Sequence, residues 1–256
     1  MAARSRTVGR AATAAVLVAV LAAVLLAGRA GAAEITLMCP PPMRSVLTEL
    51  IAAFERASGH KVAVVLAPSK AIIARLAGGE KVDVAVLTAQ ATDDLIKAGK
   101  LARRVDLARS TIGVAVRSGA PRPDIGSADA FRRTLLVAKT FARNDGADSG
   151  IYMKGLIERL GIADEMRPKT TLVASGYVAE LVARGEVEIG AQQVSELMSV
   201  AGVDVTPLPA DIQHVIVFSA GLAATPTAPA AVDALMAFLT APAAAPVIKA
   251  KGLDPA

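Results

Sequence analysis

The sequence predicts an α/β protein in which helices cover both faces of a largely parallel sheet. Short β-branched apolar runs alternate with longer segments in which apolar residues recur at the 3.6-residue period of a helix. This alternation is typical of parallel strands joined by crossover helices. The chain has 256 residues, 54% of them hydrophobic, and can therefore bury the core of one large or two small domains.

The strands and helices can be assigned along the chain. Eight runs are predicted as strands: 34–39, 61–67, 82–88, 110–117, 134–139, 170–174, 187–192 and 214–222. Five segments are predicted as helices: 44–58, 69–77, 92–98, 150–160 and 178–184. The first helix is the clearest, because Val46, Leu50 and Phe54 share one face and Gly59 follows as a suitable left-handed C-terminal residue.

Two proline- and glycine-rich stretches interrupt the alternation. Residues 117–131 follow one long strand, and residues 207–213 precede another. A protein of two α/β lobes joined by two crossing strands needs paired connections of this kind. The predicted boundaries are 34–112 for the first part of lobe 1, 113–209 for lobe 2 and 210–256 for the second part of lobe 1.

Residues 1–33 have the pattern of a secretory signal peptide, with a basic start, an apolar run and small residues before Glu34. We predict cleavage between Ala32 and Glu34 and a periplasmic location. The alternative is an uncleaved anchor, because the apolar run is nearly long enough to span a bilayer. The segment holds four of the 28 basic residues and no acid, so 24 basic residues remain against 23 acidic ones. This near-neutral balance argues against a nucleic-acid partner.

Composition also limits the chemistry. One Cys and two His residues form neither an internal disulfide nor a zinc site, so we predict no metal and no cofactor. The chain has no G-x-S-x-G elbow and no His-rich motif, which disfavours a hydrolase. We therefore predict a protein that is not an enzyme and has no catalytic residues. The absence of Trp disfavours a large carbohydrate ligand, because sugars stack on aromatic rings.

Five segments carry a resemblance to a known family. They are FERASGHKV (54–62), VDVAVLTAQATDDLIKAGKL (82–101), IGVAVRSGAPRPDI (112–125), SGIYMKGLIERLGIADE (149–165) and VAELVARGEVEIGAQQVSEL (178–197). In this order and spacing they resemble the bacterial extracytoplasmic solute-binding proteins of ABC importers. The match is to the molybdate-binding-like group of type 2 periplasmic binding proteins, and it covers most of residues 34–250.

The resemblance implies a ligand cleft between the two lobes and hinge closure as the signal to an ABC permease in the inner membrane. The ligand would be a small molecule, such as a molybdate-like oxyanion. One pair of lobes per chain favours a monomer. Two alternatives stay open, namely a secreted hydrolase and a ligand-sensing binding protein for a small organic solute.

Ligands of open α/β sheets bind beyond the carboxyl ends of strands. This rule selects four loops: 38–43, 67–70, 143–152 and 192–196. The resemblance implies that hydroxyl groups and helix N-terminal N–H groups surround an anion there. The matching residues are Cys39, Pro40, Ser69, Ser149, Gly150, Tyr152, Gln193 and Ser195.

Several of these residues also have ordinary structural interpretations. Cys39 has the character of a small buried hydrophobe, Ser69 of a helix cap and Tyr152 of a core residue. Tyr177 is open to the same two interpretations as Tyr152. Glu196 is interpreted as a solvated helix residue.

Two features depart from the family pattern. The run Pro40–Pro42 has no N–H group to donate, and a structural turn bordering the cleft is the other interpretation. Asp145 and Asp148 precede a helix and would compete with an anion for the same donors, unless they only cap that helix. Carboxylates that face the cleft would favour a neutral or cationic ligand over molybdate.

Overall fold

The computed structural model describes residues 31–256, so residues 1–30 of the predicted signal peptide lie outside the described residues. The strands are β1 (Glu34–Cys39), β2 (Lys61–Leu66), β3 (Val84–Thr88), β4 (Arg103–Arg117), β5 (Phe141–Asn144), β6 (Thr170–Val173), β7 (Ile189–Gln193), β8 (Val203–Pro207), β9 (Val215–Leu222) and β10 (Leu253–Pro255). The helices are α1 (Arg44–Ser58), α2 (Ser69–Ala77), α3 (Ala89–Lys97), α4 (Ala128–Val137), α5 (Asp148–Arg159), α6 (Ala163–Met166), α7 (Val178–Ala183), α8 (Val194–Leu197), α9 (Pro229–Leu239) and α10 (Ala245–Ala250). Four short 3-10 turns complete the described elements: Pro41–Met43, Arg167–Lys169, Ala210–Ile212 and Pro242–Ala244.

One predicted strand is wrong. Most of residues 134–139 belong to the end of α4, and the strand of this region is β5. Phe131 and Leu135 are fully buried and four residues apart, which is the spacing of one helix face. Val137 is 84% exposed, as the outer face of a helix allows. A short apolar run does not by itself distinguish a buried strand from a buried helix segment.

The sheet is mixed, whereas the sequence predicted a parallel one. Its order is β2-β1-β3-β9-β4-β7-β5-β6, and β8 and β10 also pair with β4. The strands β1, β2 and β3 are parallel, as are β5, β6 and β7. Between these groups, β9 runs antiparallel to β3 and β4, and β4 runs antiparallel to β7. The strand–helix alternation therefore describes the two outer groups but not the strands that cross the middle.

Strand β4 belongs to both halves of the sheet. Residues 103–111 pair with β9, whereas residues 112–117 pair with β7 and β8. The chain returns through residues 208–214, which include the turn Ala210–Ile212. Gln213 joins the two crossings, because its Oε1 accepts the Ile112 N–H at 2.9 Å and its Nε2 donates to the Ile112 carbonyl at 3.0 Å. These crossings join two α/β lobes; the exact boundary residues stay a prediction.

Each lobe has its own hydrophobic core. In lobe 1, α1 and α9 cover one face of the sheet, where Phe54 and Phe218 are buried together. In lobe 2, α4 and α5 cover the sheet through Phe131, Phe141 and Met153. Separate cores allow the loops at the carboxyl ends of both sets of strands to face one another across a cleft. No single helix within residues 31–256 is long and apolar enough to cross a membrane.

Candidate functional site

The four loops selected from the sequence meet around one cavity of about 620 Å³ between the lobes. Lobe 1 contributes the turn after β1 and the start of α2, and lobe 2 contributes the loops after β5, β6 and β7. The lining includes Pro40–Pro42, Arg44, Pro68–Lys70, Asn144–Asp148, Ser175–Tyr177, Glu180, Gln193 and Glu196. The loop over residues 175–177 was missed, although it follows a predicted strand and obeys the same rule.

Three of the predicted ligand residues, namely Pro40, Ser69 and Gln193, line this cavity. Ser149, Gly150 and Ser195 are buried, adjacent in the chain to the lining residues Asp148 and Glu196. The hydroxyl groups of Ser149 and Ser195 have no hydrogen-bond partner among the described residues. A small shift of either loop would therefore offer a ligand an unpaired hydroxyl. Their role in binding stays a prediction.

Tyr152 lies apart from the cavity lining. Its ring stacks on His214 with 4.7 Å between the ring centroids, and its hydroxyl donates to the Ile212 carbonyl at 2.7 Å. Arg159 lies over the same ring, 5.3 Å from its centroid. The Tyr152 side chain therefore packs and hydrogen-bonds against residues 208–214, where the chain returns to lobe 1. Tyr177, by contrast, lines the cavity.

Cys39 is buried at the end of β1, as expected of a small hydrophobe. Burial raises the pKa of its thiol to about 12, against a smaller opposing effect of the nearby Arg44 charge. The thiol is therefore neutral at physiological pH, which disfavours nucleophilic attack by this group. Within residues 31–256, no cluster of three or more His, Cys, Asp and Glu side chains could hold a metal ion.

The proline turn, Pro40–Met43, forms part of the cavity wall on the lobe 1 side. Pro40 is extended, and the Met43 N–H donates to the Pro40 carbonyl at 3.1 Å to close the 3-10 turn. None of the three prolines can donate to a ligand. Helix α8 of lobe 2 packs directly against this turn. The turn is therefore both structural and a donor-poor wall of the cleft.

Glu196, on α8, is not the solvated residue that the sequence suggested. It is only 7% exposed and lines the cavity, because α8 packs onto the proline turn and strand β4. Burial raises the pKa of Glu196 to about 8. Hydrogen bonds from the Gln192 side chain and the Gln193 backbone oppose this rise, and the charge of Asp148 adds to it. A carboxyl group that can gain and lose a proton near neutral pH thus faces the cleft.

Gln192 and Gln193 have different roles, as strand alternation predicted. Gln193 lines the cavity, and its side-chain oxygen has no partner among the described residues. Gln192 is buried, and its Oε1 accepts the Val178 N–H at 2.8 Å at the start of α7. Gln192 therefore connects the end of β7 to the loop before α7.

The cavity also contains two cationic side chains that the sequence analysis did not single out. Arg44 begins α1 directly after the proline turn, and Lys70 lies in the first turn of α2. Neither has an acidic partner within 4.0 Å in the described part of the chain. Arg44 follows the loop 38–43 and Lys70 ends the loop 67–70. This position next to the predicted cleft was the signal that could have identified both residues. The cavity therefore holds two unpaired positive charges.

Two helices start at the cavity without side-chain caps. Pro68 precedes α2 and Ala147 precedes α5, and neither provides a side-chain hydrogen bond. Asp148 is inside the first turn of α5, so the capping interpretation of this residue is wrong. The N–H groups of Ser69 and Lys70 in α2, and of Asp148 and Ser149 in α5, come before the first intrahelical hydrogen bond of their helix and favour negative charge. Arg143 donates to the Asn144 and Gly150 carbonyls and not to either aspartate.

Two α/β lobes around a cleft are the architecture of solute-binding proteins. A family model described as bacterial extracellular solute-binding protein matches residues 35–254, and the chain belongs to this family. The solved structure of the Azotobacter vinelandii periplasmic molybdate-binding protein is 18% identical and has a TM-score of 0.70, with 86% of this chain and 98% of that chain covered. A tungstate-binding protein from Desulfovibrio alaskensis is 14% identical with a TM-score of 0.64, with 88% and 99% covered. The predicted resemblance to bacterial solute-binding proteins is confirmed, and the molybdate- and tungstate-binding proteins share the fold of this chain.

A curated relative changes one conclusion. The aconitate isomerase of Pseudomonas sp is 36% identical over 230 residues, which cover 86% of this chain and 87% of that protein. This finding overturns the prediction that the chain is not an enzyme, because a relative of nearly the same extent has an enzyme's name. That prediction relied on known nucleophile and metal motifs, which an acid–base site of scattered carboxyl and cationic residues does not need.

Proposed function

We propose that the chain binds an unsaturated polycarboxylate of the aconitate type in the cleft and isomerises its double bond. The observation that carries this proposal is one cavity lined both by Arg44 and Lys70, which have no acidic partner among the described residues, and by the buried carboxyl group of Glu196. Cationic side chains and free helix N-terminal N–H groups are suited to carboxylates. A carboxyl group in the same enclosure is suited to proton transfer.

The chemistry requires only the movement of a proton. Aconitate carries a methylene group next to its double bond. Removal of one methylene proton leaves an allylic carbanion whose charge spreads onto the carboxylates. Return of a proton to the former vinyl carbon shifts the double bond, so one C–H bond breaks, one forms, and no oxidant or reductant takes part. Arg44 and Lys70 would stabilise the charge that develops on the carboxylate oxygens.

The relative supports this choice of substrate class, because aconitate isomerase is the name of a protein that shares 36% of its residues with this chain. The uncapped starts of α2 and α5 support it as well, since each offers N–H groups to one carboxylate. The cavity also contains three exposed carboxylates, Asp145, Asp148 and Glu180. Because they repel negative charge, they favour a substrate whose carboxylates are separated along a carbon chain.

Incubation of the purified chain with cis-aconitate, and separately with trans-aconitate, tests the proposal. Proton NMR of the vinyl signals should show both reactions approach the same equilibrium mixture. A dye-based thermal melt should show stabilisation of roughly 2.7 kcal/mol at about 100 times the dissociation constant. If neither isomer is converted at substrate concentrations that shift the melt, the protein binds the substrate class without isomerising it. If no shift occurs either, the proposal is wrong.

A second function follows from family membership and from the unpaired hydroxyl groups of Ser149 and Ser195. In this function the chain captures a small solute, closes about the crossings at Ile112 and Gln213, and delivers the solute to an importer permease. Molybdate, tungstate, sulfate and phosphate in the same melt distinguish the two ligand classes. Stabilisation by molybdate and tungstate alone would favour oxyanion capture over polycarboxylate binding.

A further inference from the structure

The proposed isomerisation needs one group that removes and returns a proton, and the acidic residues of the cavity are not equivalent. Asp145, Asp148 and Glu180 are exposed to water, whereas Glu196 is 7% exposed. Water stabilises an exposed carboxylate and makes it a weak base, while a buried one keeps more of its affinity for a proton. Glu196 is therefore the carboxyl group whose environment suits proton transfer to carbon.

Three parts of the fold produce this environment. The proline turn packs against α8 from lobe 1 and offers no N–H at its three proline positions. Within lobe 2, strand β4 also packs against α8 and contributes to its burial. The Gln192 side chain and the Gln193 backbone lower the pKa of Glu196 and so oppose the effect of burial. The proline run thus excludes donors that would stabilise the ionised carboxylate.

On the basis of the proposed function, we infer that Glu196 is the catalytic residue. Its carboxylate takes the methylene proton of the bound polycarboxylate and returns a proton to the other end of the allylic system. In the first step the carboxylate of Glu196 forms an O–H bond as the substrate C–H bond breaks, and the electron pair moves into the allylic system. In the second step this O–H bond breaks and a C–H bond forms at the other terminal carbon. The carboxylate is regenerated.

The charges around Glu196 fit both steps. A group whose pKa is near 8 is basic enough to accept the proton and acidic enough to return it near neutral pH. Asp148 on α5 favours the neutral form of Glu196 by its negative charge. The other charged side chains that line the cavity are Asp145, Glu180 on α7, Arg44 beside the proline turn and Lys70 on α2. A polycarboxylate bound to Arg44 and Lys70 would neutralise part of their positive charge.

The test compares the full chain with Glu196→Gln, and uses Glu165→Gln, at an exposed position of α6 outside the cavity lining, as the control. We expect Glu196→Gln to lower kcat for aconitate isomerisation by at least about 100-fold, with the melt shift on trans-aconitate retained. Glu165→Gln should keep kcat within about threefold of the full chain. If Glu196→Gln keeps kcat within tenfold of a wild-type chain that isomerises aconitate, the assignment is wrong.

The pH profile of the unmodified chain gives an independent readout that does not depend on a folded variant. The ratio kcat/KM should rise with pH and level off above about pH 8, because only the ionised carboxylate accepts the first proton. A profile that is flat from pH 6 to 9 would contradict the assignment while leaving the proposed function intact. If the unmodified chain does not isomerise aconitate, in contrast, both the proposed function and the catalytic role of Glu196 are wrong.

Discussion

The carboxylate of Asp83 accepts two hydrogen bonds from Thr227, one from the backbone N–H at 2.7 Å and one from the hydroxyl at 2.6 Å. Its other oxygen accepts the N–H and the hydroxyl of Thr36, both at 2.8 Å. Asp83 is 3% exposed and joins the start of β3 to β1 and to the loop before α9. One buried carboxylate therefore holds three segments of lobe 1 together.

Replacement of this carboxylate should destabilise the fold. We expect Asp83→Ala to lower the free energy of unfolding by about 3 to 5 kcal/mol, because four donors lose a buried charged acceptor. Urea denaturation at neutral pH measures the change. Asp94→Ala, at an exposed position of α3, is the control and should change stability by less than about 0.5 kcal/mol.

The same site predicts a loss of stability in acid. Burial acts to raise the pKa of Asp83, but the hydrogen bonds from Thr227 and Thr36 outweigh it and hold the pKa below its ordinary value of 3.8. The unfolded chain then binds the proton more tightly than the native one, so the contribution of Asp83 is present above about pH 4 and is lost as pH falls below it. The stability difference between wild type and Asp83→Ala should shrink from pH 6 to pH 3. A constant difference over this range would contradict the explanation.

Glu196 should give the opposite pH dependence. Its pKa is raised from 4.5 to about 8 in the folded chain, so the native state binds the proton more tightly than the unfolded state. Its stabilising contribution is therefore complete below about pH 4.5 and is lost as pH rises to about 8, with a total change of about 3 to 5 kcal/mol. Glu196→Gln should remove this decline. Urea unfolding of both proteins from pH 5 to 8.5 measures it, and Glu165→Gln, at an exposed position of α6, should retain the wild-type slope.

Gly150 is a position where no side chain fits. A Cβ atom there would lie 2.1 Å from the Asn144 carbonyl oxygen, because the start of α5 closes onto the end of β5. Gly150→Ala should therefore cost about 3 kcal/mol or more and weaken ligand binding by displacing the start of α5. Gly155→Ala, later in α5, meets only the flexible end of Arg159 at 3.4 Å. This control should be neutral or stabilising by up to about 1 kcal/mol, as a thermal melt can show.

Arg44 and Lys70 should contribute to affinity for anionic ligands. Removal of either cation should raise the dissociation constant of trans-aconitate by about 10- to 100-fold, the value of a hydrogen bond to a charged group. Calorimetric titration measures this change, which should diminish at high salt. Arg56→Ala, at the exposed end of α1, leaves the cavity intact and should not alter the dissociation constant. If the dissociation constant rises equally in the Arg44, Lys70 and Arg56 variants, the cause is a general charge effect and not a set of specific contacts.

The sequence predicted much of this cleft because the relevant signals are local. A strand end and the helix after it are encoded in about ten adjacent residues, so the loops 38–43, 67–70, 143–152 and 192–196 could be selected before their spatial arrangement was known. Their meeting follows from the general rule for the carboxyl ends of strands. The antiparallel pairing at the centre of the sheet could not be predicted, because nothing in the local sequence of β4 or β9 indicates the direction in which these strands pair.

The burial of Glu196 depended on a contact between distant parts of the chain. Residue 196 lies in a four-residue helix whose own sequence contains a single acidic residue and gives no sign of which side is covered. Burial is produced by the proline turn, more than 150 residues earlier, and by β4. The run Pro40–Pro42 was interpreted as a lost donor set or as a structural turn, and its packing against the helix that carries Glu196 was not predicted.

The position of Tyr152 at the return crossing has a spectroscopic consequence. The chain has no Trp and only two Tyr residues, so tyrosine emission is not masked by indole and comes from Tyr152 and Tyr177 alone. One of these phenols is hydrogen-bonded at the joint between the lobes, and the other faces the cleft. A Tyr177→Phe variant would leave a single native fluorophore at that joint. Lobe movement could then be followed by its emission lifetime without an attached label.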